Sequence, residues 1–281
     1  MKILVTGAGG MLASDLVSVL NQNHEVIPSS ENDLNITVRD DVHRVVHSVS
    51  PDIVINCAAY TLVDKAEEER DKAFLVNGIG VQNIALACRD KGIPLCHIST
   101  DYVFDGTKKG AYTPFDNTNP INVYGESKLA GEKYVEWVMN KFYIVRTSWL
   151  YGRAGNNFVA TILRLAKEQS EIRVVSDQMG SPTHTVSLSS AIERIIATGA
   201  YGIYHFTDET GGGISWYDFA KEIVRVSGLK TRVIPITTAE FPRPARRPAN
   251  SVLDTSVFSL VTGHEIKDWK EALREYLSTR R

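Results

Sequence analysis

The sequence predicts an α/β fold: a doubly wound parallel sheet of the Rossmann type with a smaller, irregular C-terminal substrate-binding domain. Three observations carry that expectation. Short apolar runs rich in β-branched residues alternate with stretches of helical period over the first 150 residues, the pattern of successive βαβ units. The runs are nearly continuous in apolar residues, as strands covered by helices on both faces must be. A glycine-rich turn joins the first run to the first helical stretch, where such folds hold a dinucleotide.

The elements follow in order. Strands are expected in KILVTG (2–7), HEVIPS (24–29), DIVINCAA (52–59), IPLCHIST (93–100) and FYIVRTSW (142–149), with helices at about 11–21, 39–49, 78–90 and 127–139 between them. Beyond residue 150 the rhythm loosens into turn-rich stretches such as YGRAGNN, SDQMGSPTHT and FPRPARRPANS, which suit a ligand pocket better than a sheet. Ser215 with Asp218 three residues on marks a helix start. Residues 1–150 are therefore expected to form a dinucleotide-binding domain, completed by a helix and strand within about 185–206. Residues 151–281 supply most of the substrate-binding region, interleaved with the first.

Composition excludes several classes. Of 281 residues, 43% are hydrophobic and 23% charged, and the formal net charge is −2, so no strong field for nucleic acid or a membrane surface is expected. The most basic stretch, RPARRP at 243–248, is short and broken by proline, a loop that could meet one anionic ligand. Three cysteines, Cys57, Cys88 and Cys96, lack C-x-x-C spacing, so neither a disulfide framework nor a metal site is expected. No segment reaches the ~18 to 20 apolar residues of a membrane span. The opening MKILVTG is too short an apolar run for a secretory leader, so a reducing, cytoplasmic setting is expected. Assembly as a homodimer is left open.

In VTGAGGMLA, Gly7 permits a tight turn and Gly10 lets backbone approach a diphosphate at the positive end of the next helix. The second strand ends VIPSSEN, where Ser29 and Ser30 precede Glu31. Hydroxyls accommodate a 2′-phosphate better than a carboxylate does, so the cofactor expected is NADPH, with NADH as the alternative.

Ser99, Thr100, Asp101 and Tyr102 should emerge at the carboxyl end of the fourth strand. Tyr124 and Lys128 follow one loop later, four residues apart. Reduction of a carbonyl needs a proton donor for the nascent alkoxide; tyrosine can be that donor if a lysine one turn away lowers its pKa, and a threonine hydroxyl can position the oxygen. The spacing alone is ambiguous, because Tyr217 and Lys221 repeat it. That second pair has no glycine turn or strand-end hydroxyl before it, and is read as a helix-surface or core pair.

Read together, TGAGGMLA, NCAAYTLVDKAE, STDYVFDG, NVYGESKLAGE, RTSWLYG, NNF, DQMGSPT and ARRPANSVLD resemble, in order from residue 3 to about 254, the dTDP-4-dehydrorhamnose reductase family of extended short-chain dehydrogenases. The resemblance implies NAD(P)H-dependent reduction of the C4 ketone of dTDP-4-dehydro-6-deoxy-L-mannose to dTDP-L-rhamnose, with Thr100, Tyr124 and Lys128 as the catalytic set. It implies that Met11, Leu12, Asn35, Ile36, Ala58, Ala59 and Tyr60 join Gly7, Gly10, Tyr124 and Lys128 around the cofactor. Thr61, Val63, Asp101, Tyr102, Trp149, Asn156 and Asn157 would border the nucleotide sugar, and Arg247 would face its diphosphate. Asn35 stands where family members more often carry Asp near the adenine.

Two rival readings compete, a nucleotide-sugar dehydratase or epimerase within the same fold and a binding subunit from another class. A dehydratase follows the strand-end threonine with Asp-Glu, but here the pair is Asp101-Tyr102, so the eliminating carboxylate is missing. A non-catalytic subunit similar to the regulatory beta subunit of methionine adenosyltransferase would not need an intact Thr100, Tyr124 and Lys128. Reduction of another 4-keto nucleotide sugar stays open within the family.

Overall fold

The computed structural model describes residues 1–279. The chain opens with β1 (Lys2–Thr6), α1 (Met11–Leu20), β2 (Glu25–Ser29), α2 (Arg39–Val49) and β3 (Ile53–Asn56). Two short helices, α3 (Val63–Ala66) and α4 (Arg70–Phe74), run through a π-helical turn at Leu75–Gly80 into α5 (Val81–Lys91) and β4 (Leu95–Thr100). Then come α6 (Val123–Val138) and β5 (Phe142–Thr147). These five strands pair in parallel, and a sixth from beyond residue 150 completes the sheet.

Strand period decides which helix covers which residue. Side chains alternate across a sheet, so Ile3 and Val5 face one side and Leu4 the other. Ile3 and Val5 pack with Leu12, Leu16 and Leu20 of α1 in one buried cluster. Leu4 packs with Val42 and Val46 of α2, Ile84 and Cys88 of α5, and Val135 of α6 in a second. At roughly 1.5–3 kcal/mol for each fully buried aliphatic side chain, these two layers dominate the sheet's stabilisation.

Beyond β5 lie β6 (Leu150–Tyr151), α7 (Phe158–Glu168), β7 (Glu171–Val175), β8 (Met179–Gly180) and β9 (Thr183–His184). They are followed by α8 (Thr185–Thr198), β10 (Gly202–His205), β11 (Ile214–Ser215), α9 (Trp216–Val226) and β12 (Arg232–Ile236). The chain closes with α10 (Ser256–Thr262) and α11 (Trp269–Ser278). The six-stranded sheet has the order β10-β5-β4-β3-β1-β2, with α8 packed on α1. The rest of the C-terminal half is ribbons of two strands each around a third core of Tyr151, Val159, Ile162, Phe219, Ile223 and Leu273. Ser215 caps α9 as expected, in a reciprocal capping box with Asp218.

Two boundaries differ from the sequence expectation. The helix expected at 127–139 begins at Val123, because Asn122 caps it by accepting the Gly125 N–H at 2.7 Å. The first turn is hidden from propensity by Gly125, whose lack of a side chain is required: a Cβ there would sit 2.2 Å from the Tyr102 carbonyl oxygen. The helix expected from residue 78 becomes regular only at Val81. In the π turn before it, Asn77 points its side chain away from the helix to hold the backbone of Tyr60 and the hydroxyl of Ser127. Extra-wide turns of this kind place a side chain where an α turn cannot.

Candidate active site

A cavity of about 720 Å³ opens at the carboxyl ends of β1, β3, β4 and β5. Strand order reverses between β1 and β3, and ligands of open parallel sheets bind at such a switch point. Beneath its floor the hydroxyl of Thr6 donates to Asn56 at 2.6 Å, and Asn56 contacts the His97 ring at 3.0 Å. The same Asn56 oxygen accepts the Ala58 N–H, which turns the chain after β3 into the cavity wall.

The glycine turn forms one end. Gly7 takes φ +73°, and a Cβ on it would lie 2.6 Å from the Ala58 amide nitrogen, so only glycine fits. Gly10 is the N-cap of α1, and no side chain caps that helix. The first N–H groups of a helix lack intrahelical acceptors and, with the dipole, favour an anion there. Gly10, Met11 and Leu12 line the cavity at this point. These residues fit a dinucleotide diphosphate.

Further along the same wall lie Asn35, Ile36, Ala58, Ala59, Tyr60 and Thr61. Asn35 accepts two hydrogen bonds from Thr37 on its side-chain oxygen, which leaves its amide nitrogen to donate. Ser29 and Ser30, expected beside the cofactor ribose, are not on the cavity surface. Ser29 is buried, and Asp33 takes both the N–H and the hydroxyl of Ser30, at 2.9 and 2.6 Å. Glu31 lines the cavity instead.

The opposite end collects Thr100, Asp101, Tyr124, Lys128, Trp149 and Asn156. The Thr100 hydroxyl donates to Asp101 at 2.9 Å and lies within hydrogen-bonding reach of the Tyr124 phenol. Burial pushes Tyr124 up to about 12, which the Thr100 contact opposes and the Asp101 charge reinforces. Lys128 gives its ammonium to the Ile98 carbonyl at 2.6 Å, and burial pulls it down to about 8 against the opposing charge of Glu132. Burial therefore dominates the proton affinity of the phenol in this cavity. Asp101 is pushed up to about 7 by burial, and among the described residues its Oδ2 has no hydrogen-bond partner.

Trp149 adopts φ +48°, a left-handed conformation that costs about 1–3 kcal/mol for a residue with a side chain. Its indole is stacked on Trp216 at 3.5 Å and pressed against Gly180, where a Cβ would lie 2.5 Å from the ring. That packing fixes the indole at the cavity edge.

Four other expected residues stand apart from the cavity surface. Asn157 caps α7 through the Ala160 N–H and donates to the Gly152 carbonyl, so its amide is committed to structure. Val63 begins α3, its N–H bonded to the Thr61 carbonyl. Tyr102 lies edge-on to Tyr124 with ring centroids 5.9 Å apart, and shares a hydrogen bond with Arg247. Arg247 is itself bonded to Asp64, a residue the sequence reading passed over. Tyr217 and Lys221 line a different concavity, between α9, β12 and the start of α11, with the Lys221 ammonium 5.0 Å over the Tyr217 ring.

The fold and this cavity are those of a dinucleotide-binding oxidoreductase. The comparisons narrow the class to one family. Residues 1–281 match the family described as the RmlD substrate binding domain, and the chain belongs to it. The chain is 44% identical over 287 residues to a dTDP-4-dehydrorhamnose reductase of Aggregatibacter actinomycetemcomitans, covering 97% of each. It superposes with a TM-score of 0.97 and 47% identity on the dTDP-4-dehydrorhamnose reductase of Clostridium acetobutylicum, covering 100% of this chain and 99% of that one. The Bacillus anthracis dTDP-4-dehydrorhamnose reductase, solved in complex with NADP, gives 0.96 and 43% with 99% of each chain covered. No helix of the described residues is long and apolar enough to cross a membrane.

Proposed function

We propose that this chain reduces the C4 ketone of dTDP-4-dehydro-6-deoxy-L-mannose to dTDP-L-rhamnose with NADPH, NADH being the alternative donor. The observation that carries this reading is one cavity holding an uncapped glycine turn at one end and Thr100, Tyr124 and Lys128 at the other. The reduced nicotinamide, when bound, supplies the hydride. Gly7, Gly10, Met11 and Leu12 would hold its diphosphate, and Asn35, Ile36 and Ala58 to Tyr60 its adenosine.

Tyr124 acts as the proton donor to the C4 oxygen. A phenol held at about 12 stays protonated at working pH, and an alkoxide is more basic than a phenolate, so the transfer runs downhill. Thr100 orients the carbonyl oxygen toward that phenol. Lys128 would hold the cofactor ribose, and its charged form returns a proton to the tyrosine. Thr61, Trp149, Asp101 and Asn156 border the sugar and its base, and Arg247 meets the diphosphate from the rim.

A cytoplasmic setting suits this chemistry, and the free, buried thiols of Cys88 and Cys96 suit a reducing compartment. The test is to mix purified protein with NADPH and the 4-keto nucleotide sugar, follow loss of reduced-nicotinamide absorbance and identify the product. Accumulation of a 4-keto sugar from dTDP-glucose and NAD, or no turnover at all, would sink the assignment.

A further inference from the structure

We infer that Asp64 is a positioning residue for substrate, holding Arg247 and also Arg243 in the loop behind the cavity wall, ready to meet the nucleotide diphosphate. The inference rests on the reading of Arg247 as the diphosphate contact. It adds a second arginine and the carboxylate that sets both.

Asp64 sits in α3, the single turn that follows the cavity residues Ala59 to Thr61. Its carboxylate accepts four hydrogen bonds from one distant loop. Oδ2 takes Arg243 Nε at 3.0 Å and Nη2 at 2.5 Å; Oδ1 takes Arg247 Nη1 and, at 3.2 Å, the Ala245 N–H. These partners are 179 to 183 residues away in sequence, so Asp64 ties the C-terminal loop to the wall of the cavity. Two guanidiniums share one carboxylate, so the cluster keeps a net positive charge for an anion.

The two arginines are held differently. Arg247 is 16% exposed and also donates to the Ala245 carbonyl and contacts Tyr102, whose ring meets Tyr124. That line of contacts runs from the loop to the reacting end of the cavity. Arg243 is 48% exposed, with Phe241 5.5 Å from its guanidinium, so its position depends on the two bonds to Asp64. Asp64 itself is held down at about 2 by these donors against the effect of burial, so it is ionised at every working pH.

Removing the carboxylate has two opposed effects. It relieves repulsion of an incoming diphosphate, which would tighten binding. It also frees two long, rotamer-rich side chains that must then be ordered on binding, which weakens it. The second should win, because repulsion at a partly exposed rim is screened by water and salt while the ordering cost is not.

The experiment compares wild type with Asp64→Asn, Asp64→Glu, Arg243→Ala, Arg247→Ala and the double variant Asp64→Asn with Arg243→Ala, titrating each with dTDP and with NADPH by calorimetry and measuring steady-state constants. Asp64→Asn should weaken dTDP binding about tenfold and raise KM for the nucleotide sugar similarly, with kcat within about threefold and NADPH affinity unchanged. Asp64→Glu should restore part of the loss, and Arg243→Ala should add little to Asp64→Asn. Unchanged or tighter dTDP binding by Asp64→Asn would overturn the inference, as would an equal loss of NADPH affinity, which marks collapse of the loop. If Arg247→Ala bound dTDP as wild type does, the diphosphate assignment itself would fall, and the role of Asp64 with it.

Discussion

Lys128 donates its ammonium to the carbonyl of Ile98 at 2.6 Å, anchoring the lysine to β4 one residue before the buried Ser99 and Thr100. Lys128 stands one helical turn from Tyr124, and its ammonium is given to the backbone of β4. The lysine is fully desolvated, and desolvation rather than any partner sets its proton affinity.

A pH dependence follows from that desolvation. Lys128 falls from an ordinary 10.5 to about 8, while Tyr124 rises to about 12. The active form for reduction has both groups protonated, so kcat/KM should fall tenfold per unit above about 8. Lys128→Met should abolish that limb along with most activity. A profile level to pH 10 would show that the lysine charge is not needed.

The two Tyr-x-x-x-Lys pairs are separable by mutation. Tyr124→Phe removes the phenol at the reacting end, and kcat should drop by about 10² to 10⁴ with NADPH affinity retained. Tyr217→Phe alters a concavity elsewhere and should leave kcat within a few-fold. Stopped-flow or steady-state oxidation of NADPH checks both, and a deeper lesion at Tyr217 would require the site to be rebuilt.

What was legible in the sequence was whatever local periodicity or composition encodes. All five early strands lie inside the expected runs: β1, β3, β4 and β5 are buried on both faces and so largely apolar, while the edge strand β2 is legible from Val26 and Ile27 alone. Gly7, Gly10, Thr100, Tyr124 and Lys128 come together because each stands at a strand end or helix start on the same edge of the sheet. Contacts made through a neighbour's side chain were not legible. Nothing in VIPSSEN shows that Asp33 will capture Ser30 and turn Glu31 to the cavity, nor does any local pattern link Asp64 to a loop about 180 residues on.

Glu31 therefore carries a prediction of its own. A carboxylate on the cavity surface favours a ribose diol and disfavours a 2′-phosphate. Glu31→Gln should shift the ratio of kcat/KM for NADPH over NADH toward NADPH by about tenfold, ~1.4 kcal/mol. Paired kinetics with the two donors decide it; an unchanged ratio would place Glu31 away from the ribose.

The ion pair between Glu132 and Arg146 is 1% and 3% exposed, with two hydrogen bonds of 3.0 and 2.7 Å. Glu132→Ala would strand a buried guanidinium and should cost about 3–5 kcal/mol, read as a lower urea midpoint. Because Glu132 also opposes the downward pull on Lys128, a milder Glu132→Gln should move the alkaline limb of kcat/KM below 8. A stable Glu132→Gln variant with an unmoved limb would separate the two groups electrically.

The edge strand β10 and the helix α8 that covers α1 both come from beyond residue 150, although the sheet they complete is otherwise built before it. A gene cut at that codon would thus encode two unfinished pieces. The first would leave β5 with an unsatisfied row of backbone groups and the apolar flank of Leu16 and Leu20 in water, an invitation to aggregate. Soluble protein should be recovered only when both pieces are made together, which sets this chain apart from a tandem of separable modules and directs any tag or fusion to its ends.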